Sequence, residues 1–246
     1  IVNGNVDGVT GSFYTRAGQF SIDENGLLVN PDGLRLQGYP ADASGVLSAT
    51  LGDLRVTGTT IPATPTANVD LAASLDANAP VLAAAWDPLD PAATSNFATS
   101  VTVYDSLGNA HESTVYFRKT GAGAWDWHAM VDGAEVAGGT PGVPDEGANG
   151  TVTFDTTGAL TADTVAASSW DFVGATAGQA IAFDFGTSIA EGGTGLDGST
   201  GLAGSSHVVA LQQDGFAGGS VSGLRIEADG NITGVFSNGQ LRTLGA

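Results

Sequence analysis

Acidic side chains are the residues of this chain best suited to chemistry, with 26 Asp and Glu among 246 residues. Carboxylates around glycine, as in Asp23 to Asp32, are typical of calcium loops because hard cations prefer oxygen ligands. The segment lacks the alternating acids and closing glutamate of such a loop, so simple turn chemistry is favoured. A carboxylate pair would suit glycoside hydrolysis, but no spacing singles out one pair. We therefore predict no metal site and no catalytic residue.

Histidines and tryptophans are the other candidates. His111, His128 and His207 lie far apart without metal-ligand spacing, and His111 is expected at an exposed cross-strand position. Trp125 and Trp127 are two residues apart and share one face of a strand, where they form either a sugar-stacking platform or part of the core. Core packing is favoured because aliphatic residues are sparse in this region.

Composition excludes several classes of function. The chain lacks cysteine, and so has no disulfide, thiolate metal site or thiol nucleophile. Seven basic residues against 26 acidic ones give a net charge of -19, which disfavours nucleic acid and membrane surfaces as partners. No nucleophile elbow or P-loop occurs, and the glycine run at 192–195 lacks the flanking strand and helix of a phosphate cradle. We therefore predict no cofactor.

A repeated turn motif positions many of the acidic residues. Four times an acidic residue, two spacers and a glycine follow a strand-like segment, starting at Asp23, Asp105, Asp155 and Glu227. The carboxylate can accept hydrogen bonds from the turn backbone, and glycine supplies a positive φ. Each copy predicts a β-hairpin, as do two further Asx-Gly turns. The predicted turn-forming residues are Asp23, Gly26, Asp32, Gly33, Asp105, Gly108, Asp155, Gly158, Asp229, Gly230, Asn238 and Gly239.

Short strands are predicted along most of the chain from alternation and turn residues. They cover Gly11 to Phe20, Leu27 to Asn30, Leu34 to Tyr39, two pieces within Val46 to Ile61, Asn68 to Leu75, Ser100 to Tyr104, His111 to Phe117, Trp125 to Met130, Thr151 to Phe154, Ala180 to Phe185, Gly219 to Ile226 and Asn231 to Phe236. Pro80 to Asn96 is a helical turn or a loop, and Gly138 to Gly150 and Glu191 to Ser206 are predicted loops. No helix of three turns is predicted.

The fold predicted from these patterns is all-β, with two β domains, the second inserted into the first and joined to it by short paired crossings. Prolines between Ile61 and Thr66 mark the first crossing, since proline cannot donate to a central ladder. The first domain is expected to combine residues 1–66 with 206–246. Residues 67–205 are expected to form the inserted domain as a flattened barrel or a sandwich.

Three segments carry a resemblance to a known family. Phe13 to Tyr39, with Tyr-Thr-Arg, an acidic turn, Leu-Val, Asp-Gly and Leu-Gln-Gly-Tyr, resembles a segment shared by flagellar hook and rod proteins. Gln213 to Gly219 and Ile226 to Gly245 resemble the returning arm of hook proteins. Val101 to Phe117 is similar to a hook-protein segment that rod proteins generally lack. The chain is thus identified as a member of the flagellar hook protein family.

This resemblance implies a structural subunit without an active site. Such subunits stack into a short, curved, hollow tube that acts as a universal joint between the motor rod and the filament. The implied partners are other hook subunits, the hook cap, and the rod and hook–filament junction proteins. The implied location is extracellular, reached through the flagellar type III export system. Family members polymerise through terminal helical segments, so we expect the present chain to be a core fragment that is monomeric alone.

Scarce positive charge gives the remaining site prediction. Arg16, Arg35, Arg225 and Arg242 are expected to form ion pairs within the first domain or between subunits. Three alternatives for function stay open: another axial flagellar protein such as the distal rod or a hook-associated protein, a secreted carbohydrate-binding module or adhesin using the two neighbouring tryptophans, and a glycosidase.

Overall fold

The chain forms two compact β units in a computed structural model that describes residues 1–42, 45–55 and 60–246. The terminal unit combines Ile1–Pro62 with Gly218–Ala246, and the inserted unit is Ala63–Ala217. The described residues contain strands and turns but no helix, which confirms the all-β prediction. Accordingly, the described part of the chain has no helix long and apolar enough to cross a bilayer.

Eighteen strands occur in the described residues, and the longest lie in the middle of the chain. The first seven are β1 (Val2–Val6), β2 (Val9–Phe13), β3 (Ser21–Ile22), β4 (Leu28–Val29), β5 (Arg35–Gly38), β6 (Gly52–Asp53) and β7 (Thr60–Ile61). The next eight are β8 (Asn68–Ser74), β9 (Phe97–Tyr104), β10 (Ala110–Gly121), β11 (Ala124–Asp132), β12 (Pro144–Phe154), β13 (Leu160–Ser168), β14 (Ala182–Asp184) and β15 (His207–Gln213). The last three are β16 (Gly219–Ile226), β17 (Ile232–Phe236) and β18 (Leu241–Gly245).

The terminal unit contains two sheets around a small core. One sheet has the order β2-β1-β5-β4-β3 with β6 beside β5, and the other has the order β18-β17-β16-β7. Its largest cluster of buried residues comes from both arms of the chain and consists of Leu28, Leu54, Ile232 and Leu244. Few apolar side chains are thus removed from water in this unit.

Both ends of the chain bind near the same strand of the terminal unit. The N–H of Gln37 in β5 donates to the carbonyl oxygen of Ile1 at 2.9 Å. Beyond β5, the N–H of Tyr39 donates to the carbonyl oxygen of Ala246 at 2.7 Å, and the N–H of Ala246 donates back at 3.0 Å. The opening and closing segments of the sequence therefore build one body.

The inserted unit contains two sheets that share one large core. A five-stranded antiparallel meander runs β13-β12-β11-β10-β9, and a three-stranded sheet has the order β14-β8-β15, with β14 parallel to β8. Along β10, inward and outward residues alternate, so that Val115 and Phe117 point into the core while their neighbours face out. Trp125, Trp127 and residues of the three-stranded sheet complete this core.

The crossings between the two units fall at Pro62–Ala63 and Ala217–Gly218 rather than near 66 and 206. The second crossing comes later because β15 pairs with β8, which keeps His207–Gln213 in the inserted unit. The pairing joins residues far apart in sequence, so local patterns carry no trace of it. Residues 191–206, predicted as a loop, do lack a strand.

The Gly-rich segment from 138 to 150 is not a loop throughout, because β12 begins at Pro144. Its glycines allow close approach: a Cβ added to Gly147 would overlap the indole of Trp170, and one added to Gly150 would overlap the carbonyl oxygen of Thr164. Glycine in this strand therefore marks tight packing rather than permissive backbone.

Other differences concern strands that lack a clear pattern. The sequence patterns failed to predict β1. They gave no bounds for β13, the second arm of the hairpin predicted at Asp155, which is exposed along much of its length without regular alternation. Residues 80–96, predicted as a helical turn or a loop, form turns without a helix. Of the strand pieces predicted within 46–61, β6 and β7 occur, while residues 56–59 lie outside the described residues.

Candidate functional site

The acidic turns share one hydrogen-bond geometry. Oδ1 of Asp23 accepts from the N–H groups of Asn25 and Leu27 at 2.9 and 2.8 Å. Oδ1 of Asp105 accepts from Leu107 and Asn109 at 2.8 and 2.9 Å. Oδ1 of Asp155 accepts likewise at 2.7 and 3.0 Å, from the second and fourth residues after it. These turns close the hairpins β3–β4, β9–β10 and β12–β13, with φ of 78°, 85° and 85° at their glycines.

In two other turns the capping side chain is neither Glu227, which begins the fourth copy of the motif, nor Asp32 of the Pro-Asp-Gly turn. In the fourth copy the N–H of Gly230 donates to the carbonyl oxygen of Glu227 at 3.0 Å, while Oδ1 of Asp229 accepts from Asn231. In the Pro-Asp-Gly turn, Oδ1 of Asn30 accepts from the N–H groups of Asp32 and Leu34. Asp229 and Asn30 cap these turns because the oxygen of each side chain accepts from the backbone N–H two residues on.

Two further Asx-Gly turns complete the set. The N–H of Val46 donates to Oδ1 of Asp42 at 3.0 Å, and Gly45 has a φ of 82°, a copy of the motif that the sequence patterns failed to predict. At the β17–β18 turn, Oδ1 of Asn238 accepts from Gln240 at 3.1 Å and Gly239 has a φ of 81°. The motif thus serves hairpin closure in both units.

A polar clamp holds the two crossing segments together at the base of the inserted unit. Thr64 and Phe216 exchange two backbone hydrogen bonds of 2.9 Å. The hydroxyl of the buried Thr66 donates to Oε1 of Gln213 at 3.0 Å and accepts from the N–H of Tyr104 at 2.9 Å. The Nε2 of Gln179 donates to the carbonyl oxygens of residues 66 and 104, both at 2.9 Å. Entering and leaving segments are therefore bound to each other and to the meander.

Asp214 is the charged member of this clamp. Its Oδ1 accepts from the N–H groups of Ala67 and Asn68 at 2.8 and 3.0 Å, and its Oδ2 accepts from the Asn68 amide at 2.7 Å. Burial opposes ionisation, but these hydrogen bonds outweigh it and hold the pKa of Asp214 below its usual value. The carboxylate therefore stays charged and tied to the opposite crossing.

The four arginines predicted as ion-pair partners all lie in the terminal unit but in different settings. Arg35 pairs with Asp53 at 2.6 Å, and Arg225 approaches Glu227 at 3.9 Å with both side chains exposed. Arg242 lies over the ring of Phe236, 5.1 Å from its centroid. Arg16 is exposed and forms no ion pair within the described residues.

Charge is distributed unequally between the units. The inserted unit carries 18 acidic and 2 basic residues, a formal charge of -16. The terminal unit carries 8 acidic and 5 basic residues, a formal charge of -3. Both cations of the inserted unit are engaged: Arg118 lies 3.5 Å from Asp126, and the buried Lys119 donates to the carbonyl oxygen of Ala79 at 3.0 Å. The surface of the inserted unit is therefore strongly negative.

His111 is buried, which corrects the expectation of an exposed position. Its Nδ1 lies 2.8 Å from Oε2 of Glu135, and its Nε2 lies 3.3 Å from Oδ2 of Asp105. The imidazole stacks on Phe172 with a centroid distance of 3.9 Å. The imidazole thus links the β9–β10 turn to Glu135 in the segment that follows β11, a role that alternation in β10 alone could have suggested from its inward position.

The other candidates for ligand chemistry are structural or dispersed. His128 stacks on Trp86 at 3.9 Å and its Nδ1 lies 2.8 Å from Glu146, whereas His207 is exposed. Trp125 and Trp127 are 1% and 0% exposed, so neither forms a platform for sugars. Within the residues that the structure describes, no group of three or more acidic or histidine side chains is arranged to hold a metal ion.

Asp163, Asp184 and Glu191 form an acidic cluster in which the pKa values of two carboxyl groups are shifted. Burial, followed by the negative charges of Glu191 and Asp184, raises the pKa of Asp163 above its ordinary value of 3.8. Hydrogen bonds from the N–H and hydroxyl of Ser188 lower the pKa of Glu191. The three carboxylates lie on the inserted unit and reinforce its negative surface.

Fold and site together define an all-β architecture of two units connected by clamped crossings. The chain belongs to the flagellar hook protein family: the family described as "Flagellar basal body protein FlaE D2 domain" matches residues 74–216, more than half of the chain. A second description, "Flagellar hook protein FlgE/F/G D1 domain", matches residues 5–75.

Individual relatives agree with this assignment. The chain is 31% identical over 243 residues to the flagellar hook protein FlgE of Salmonella typhimurium, covering 98% of this chain and 57% of that protein. It is 36% identical over 266 residues to FlgE of Treponema pallidum, covering 95% of this chain and 57% of that protein. The chain therefore spans just over half the length of these relatives.

A solved structure shares the fold. The crystal structure of Helicobacter pylori flagellar hook protein FlgE2 superimposes with a TM-score of 0.57 and 16% identity, covering 94% of this chain and 79% of that one. At this identity the likeness establishes the fold, which extends over both units.

Proposed function

We propose that this chain is the two-unit body of a flagellar hook subunit, part of the curved tube that transmits torque from the motor rod to the filament. The observation that carries the proposal is the pair of family matches, at 5–75 and 74–216, which together cover the first arm of the terminal unit and nearly all of the inserted unit. The proposed role is mechanical, and the chain carries no catalytic site. Its proposed location is outside the cell, reached by the flagellar type III export system.

The clamp at the base of the inserted unit supports a mechanical role. A subunit of a rotating, bending tube has to pass load between its bodies through the segments that connect them. Here two segments cross, and hydrogen bonds between Thr64 and Phe216 and around Asp214 make them share that load. A single unclamped linker would instead behave as a flexible tether.

The proposed partners follow from the family. In the assembled tube they are other copies of the subunit, and at its ends the hook cap, the rod and the hook–filament junction proteins. We further propose that the terminal and inserted units fold as domains and that the present chain alone is monomeric. Burial of Trp125 and Trp127 weighs against the adhesin alternative, which needs an exposed aromatic platform.

Complementation tests this function. The full-length gene that contains this chain is expressed in a bacterium lacking its hook protein, and hooks are counted by electron microscopy alongside swimming. We expect curved hooks and restored motility, while an empty vector gives neither. Export of a folded product without hooks contradicts the proposal, and rescue of a distal-rod mutant instead would assign the chain to the rod.

A further inference from the structure

An exposed aromatic and an exposed cation project from one segment of the terminal unit. Tyr14 is 89% exposed, and Arg16 is exposed and forms no ion pair within the described residues. The segment from 14 to 20 lies outside the strands. The hydroxyl of Thr15 between them accepts from the N–H of Ala17 at 3.0 Å, so Tyr14 and Arg16 project from one short turn-like segment, here called the knob. Tyrosine and arginine are among the residues that dominate binding energy at protein interfaces.

An apolar cleft opens in the same unit. It has a volume of about 300 Å³ and lies between the two sheets, lined mainly by Phe20, Leu28, Leu36, Leu224, Ile226 and Ile232. A second opening of about 220 Å³ shares four of these residues, which makes the two openings parts of one cleft. Ile226 at its mouth is 53% exposed. The cleft is the open side of the small core and leaves apolar surface in contact with water.

The edge of the cleft is acidic. The β16–β17 turn that follows Ile226 carries Glu227 and Asp229. Glu227 lies 3.9 Å from Arg225, with side-chain exposures of 42% and 62%, and so long and exposed a pair contributes little. Glu227 is therefore free to accept a second cation beside the apolar opening.

We propose that Tyr14 of one copy inserts into this cleft on a second copy, with Arg16 of the first copy pairing with Glu227 at the edge. The inference rests on the proposed function and names a contact by which subunits assemble. A phenol ring suits an apolar cleft because its body is apolar and its hydroxyl can stay in water. Since Tyr14 is almost fully exposed, it does not fill the cleft of its own copy.

Charge favours a second copy docking through the terminal unit. Inserted units carry -16 each and repel one another, whereas the terminal unit carries only -3 and holds five of the seven cations. A contact in which the knob of each copy enters the cleft of the next copy is heterologous, and it repeats from copy to copy and builds rings or open helical assemblies. The proposed contact thus has the symmetry that a tube requires.

Cysteine trapping in assembled hooks tests the contact, because this chain has no cysteine of its own. Tyr14→Cys and Ile226→Cys are introduced together into the full-length protein, on a background freed of any other cysteine, and hooks are oxidised. The control combines Tyr14→Cys with Leu241→Cys, which is 57% exposed in the same unit but outside the cleft. We expect a ladder of linked subunits at least about fivefold above the control.

The possible outcomes distinguish a failure of the proposed contact from a failure of the proposed function. Hooks that form normally but give no ladder above the control overturn the docking and leave the proposed function standing. Failure of the cysteine-free parent to build hooks refutes the proposed function and the docking with it. A ladder that stops at dimers contradicts a heterologous contact, because it shows two copies linked reciprocally.

A charge exchange provides a second test. Arg16→Glu is expected to lower the number of hooks per cell several-fold, and Glu227→Arg in the same protein is expected to restore most of them. The control pairs Arg16→Glu with Glu24→Arg, a reversal at an acidic residue of the β3–β4 turn. Equal rescue by both second changes would show a general charge effect and overturn the assignment of Glu227.

Discussion

The inserted unit buries many large side chains, whereas the terminal unit buries few. Trp125, Trp127, Trp170, Phe117 and Phe185 are among the fully buried side chains of the inserted core. The core cluster of the terminal unit has four aliphatic residues, and the other buried hydrophobic residues described in this unit are Val2, Leu34, Ala41 and Phe236. Because burial of apolar area is the main source of stability, the inserted unit is expected to resist unfolding on its own, and the terminal unit to gain more from neighbours.

The two units also differ in their net charge. With 18 acidic and 2 basic residues the inserted unit is a solvated body that repels its own copies, and with 8 and 5 the terminal unit is closer to neutral. Under the proposed function, the inserted unit would be the rigid part of the subunit and the terminal unit its associating part. A sliding joint needs both, since bodies must hold their shape while contacts change.

Removing the largest core side chain should have the largest effect. Trp127→Ala empties a site that is 0% exposed between Phe183 and Phe185, and we expect a loss of about 3–5 kcal/mol of unfolding free energy from the inserted unit. Urea unfolding followed by far-UV circular dichroism measures it. Trp86→Ala, at a partly exposed site of the same unit, is the matched control and should lose much less. Similar losses of unfolding free energy in the two variants would contradict dense packing around Trp127.

The buried Asp105 should make the inserted unit sensitive to acid. Burial opposes its ionisation, but hydrogen bonds from Asn109, His111 and Leu107 outweigh it and lower the pKa of Asp105 below 3.8. A lowered pKa contributes stability above the unfolded-state pKa that is lost as pH falls through the folded value. We expect Asp105→Asn to cost about 1–3 kcal/mol at pH 7.

That cost should begin to shrink as the pH falls below about 4, where Asp105 becomes protonated in the unfolded chain, and should vanish only as the pH falls through the lower pKa of the folded carboxyl. Urea midpoints of the two proteins between pH 7 and pH 3 measure the difference, with tryptophan fluorescence reporting on the inserted unit alone, since all four tryptophans lie there. A difference that stays constant over this range would show that the charge of Asp105 contributes nothing.

Replacing a strand glycine by alanine should destabilise the inserted unit more than the terminal unit. Gly147→Ala places a methyl group against the indole of Trp170, and we expect a loss of about 1–3 kcal/mol from overpacking. Gly223→Ala in β16 meets open space and should change stability by at most about 0.5 kcal/mol. Thermal unfolding of both variants compares them. Equal losses would indicate a backbone requirement at both positions instead of close packing at one.

The clamp should give the smallest change in stability. Asp214→Ala removes the acceptor for the N–H groups of Ala67 and Asn68, which water can partly replace, so we expect a loss of about 1 kcal/mol or less. Glu112→Ala removes an exposed charge of the same sign and serves as the control. Hydrogen exchange should quicken at residues 64–68 in the first variant only. Unchanged exchange would show that Asp214 does not hold the crossings.

Local chemistry explains which parts of the fold the sequence could predict. The Asp-x-x-Gly turns at Asp23, Asp105 and Asp155 and the strand at Trp125 have patterns that arise within a few residues, and the structure has hairpins and a strand there. The pairing of β15 with β8 spans more than half of the chain, and no local pattern encodes it. The second crossing was therefore placed too early.

Packing between distant parts of the chain determines the features that the sequence patterns did not predict. Gly147 lies in a strand because Trp170 covers it, and His111 is buried because Glu135 and Asp105 supply its hydrogen bonds. Both neighbours come from other parts of the fold, so the sequence indicated a loop and an exposed histidine. The clamp around Thr66 and Asp214 is likewise visible only once the two crossings meet.

The inserted unit should fold and remain stable without the terminal unit. Residues 63–217 expressed alone, with ends that Thr64 and Phe216 bind together, are compared with the whole chain by urea unfolding and tryptophan fluorescence. We predict a cooperative transition with the same midpoint in both proteins. An excised unit that is unfolded in buffer, or whose midpoint falls far below that of the whole chain, would contradict the account.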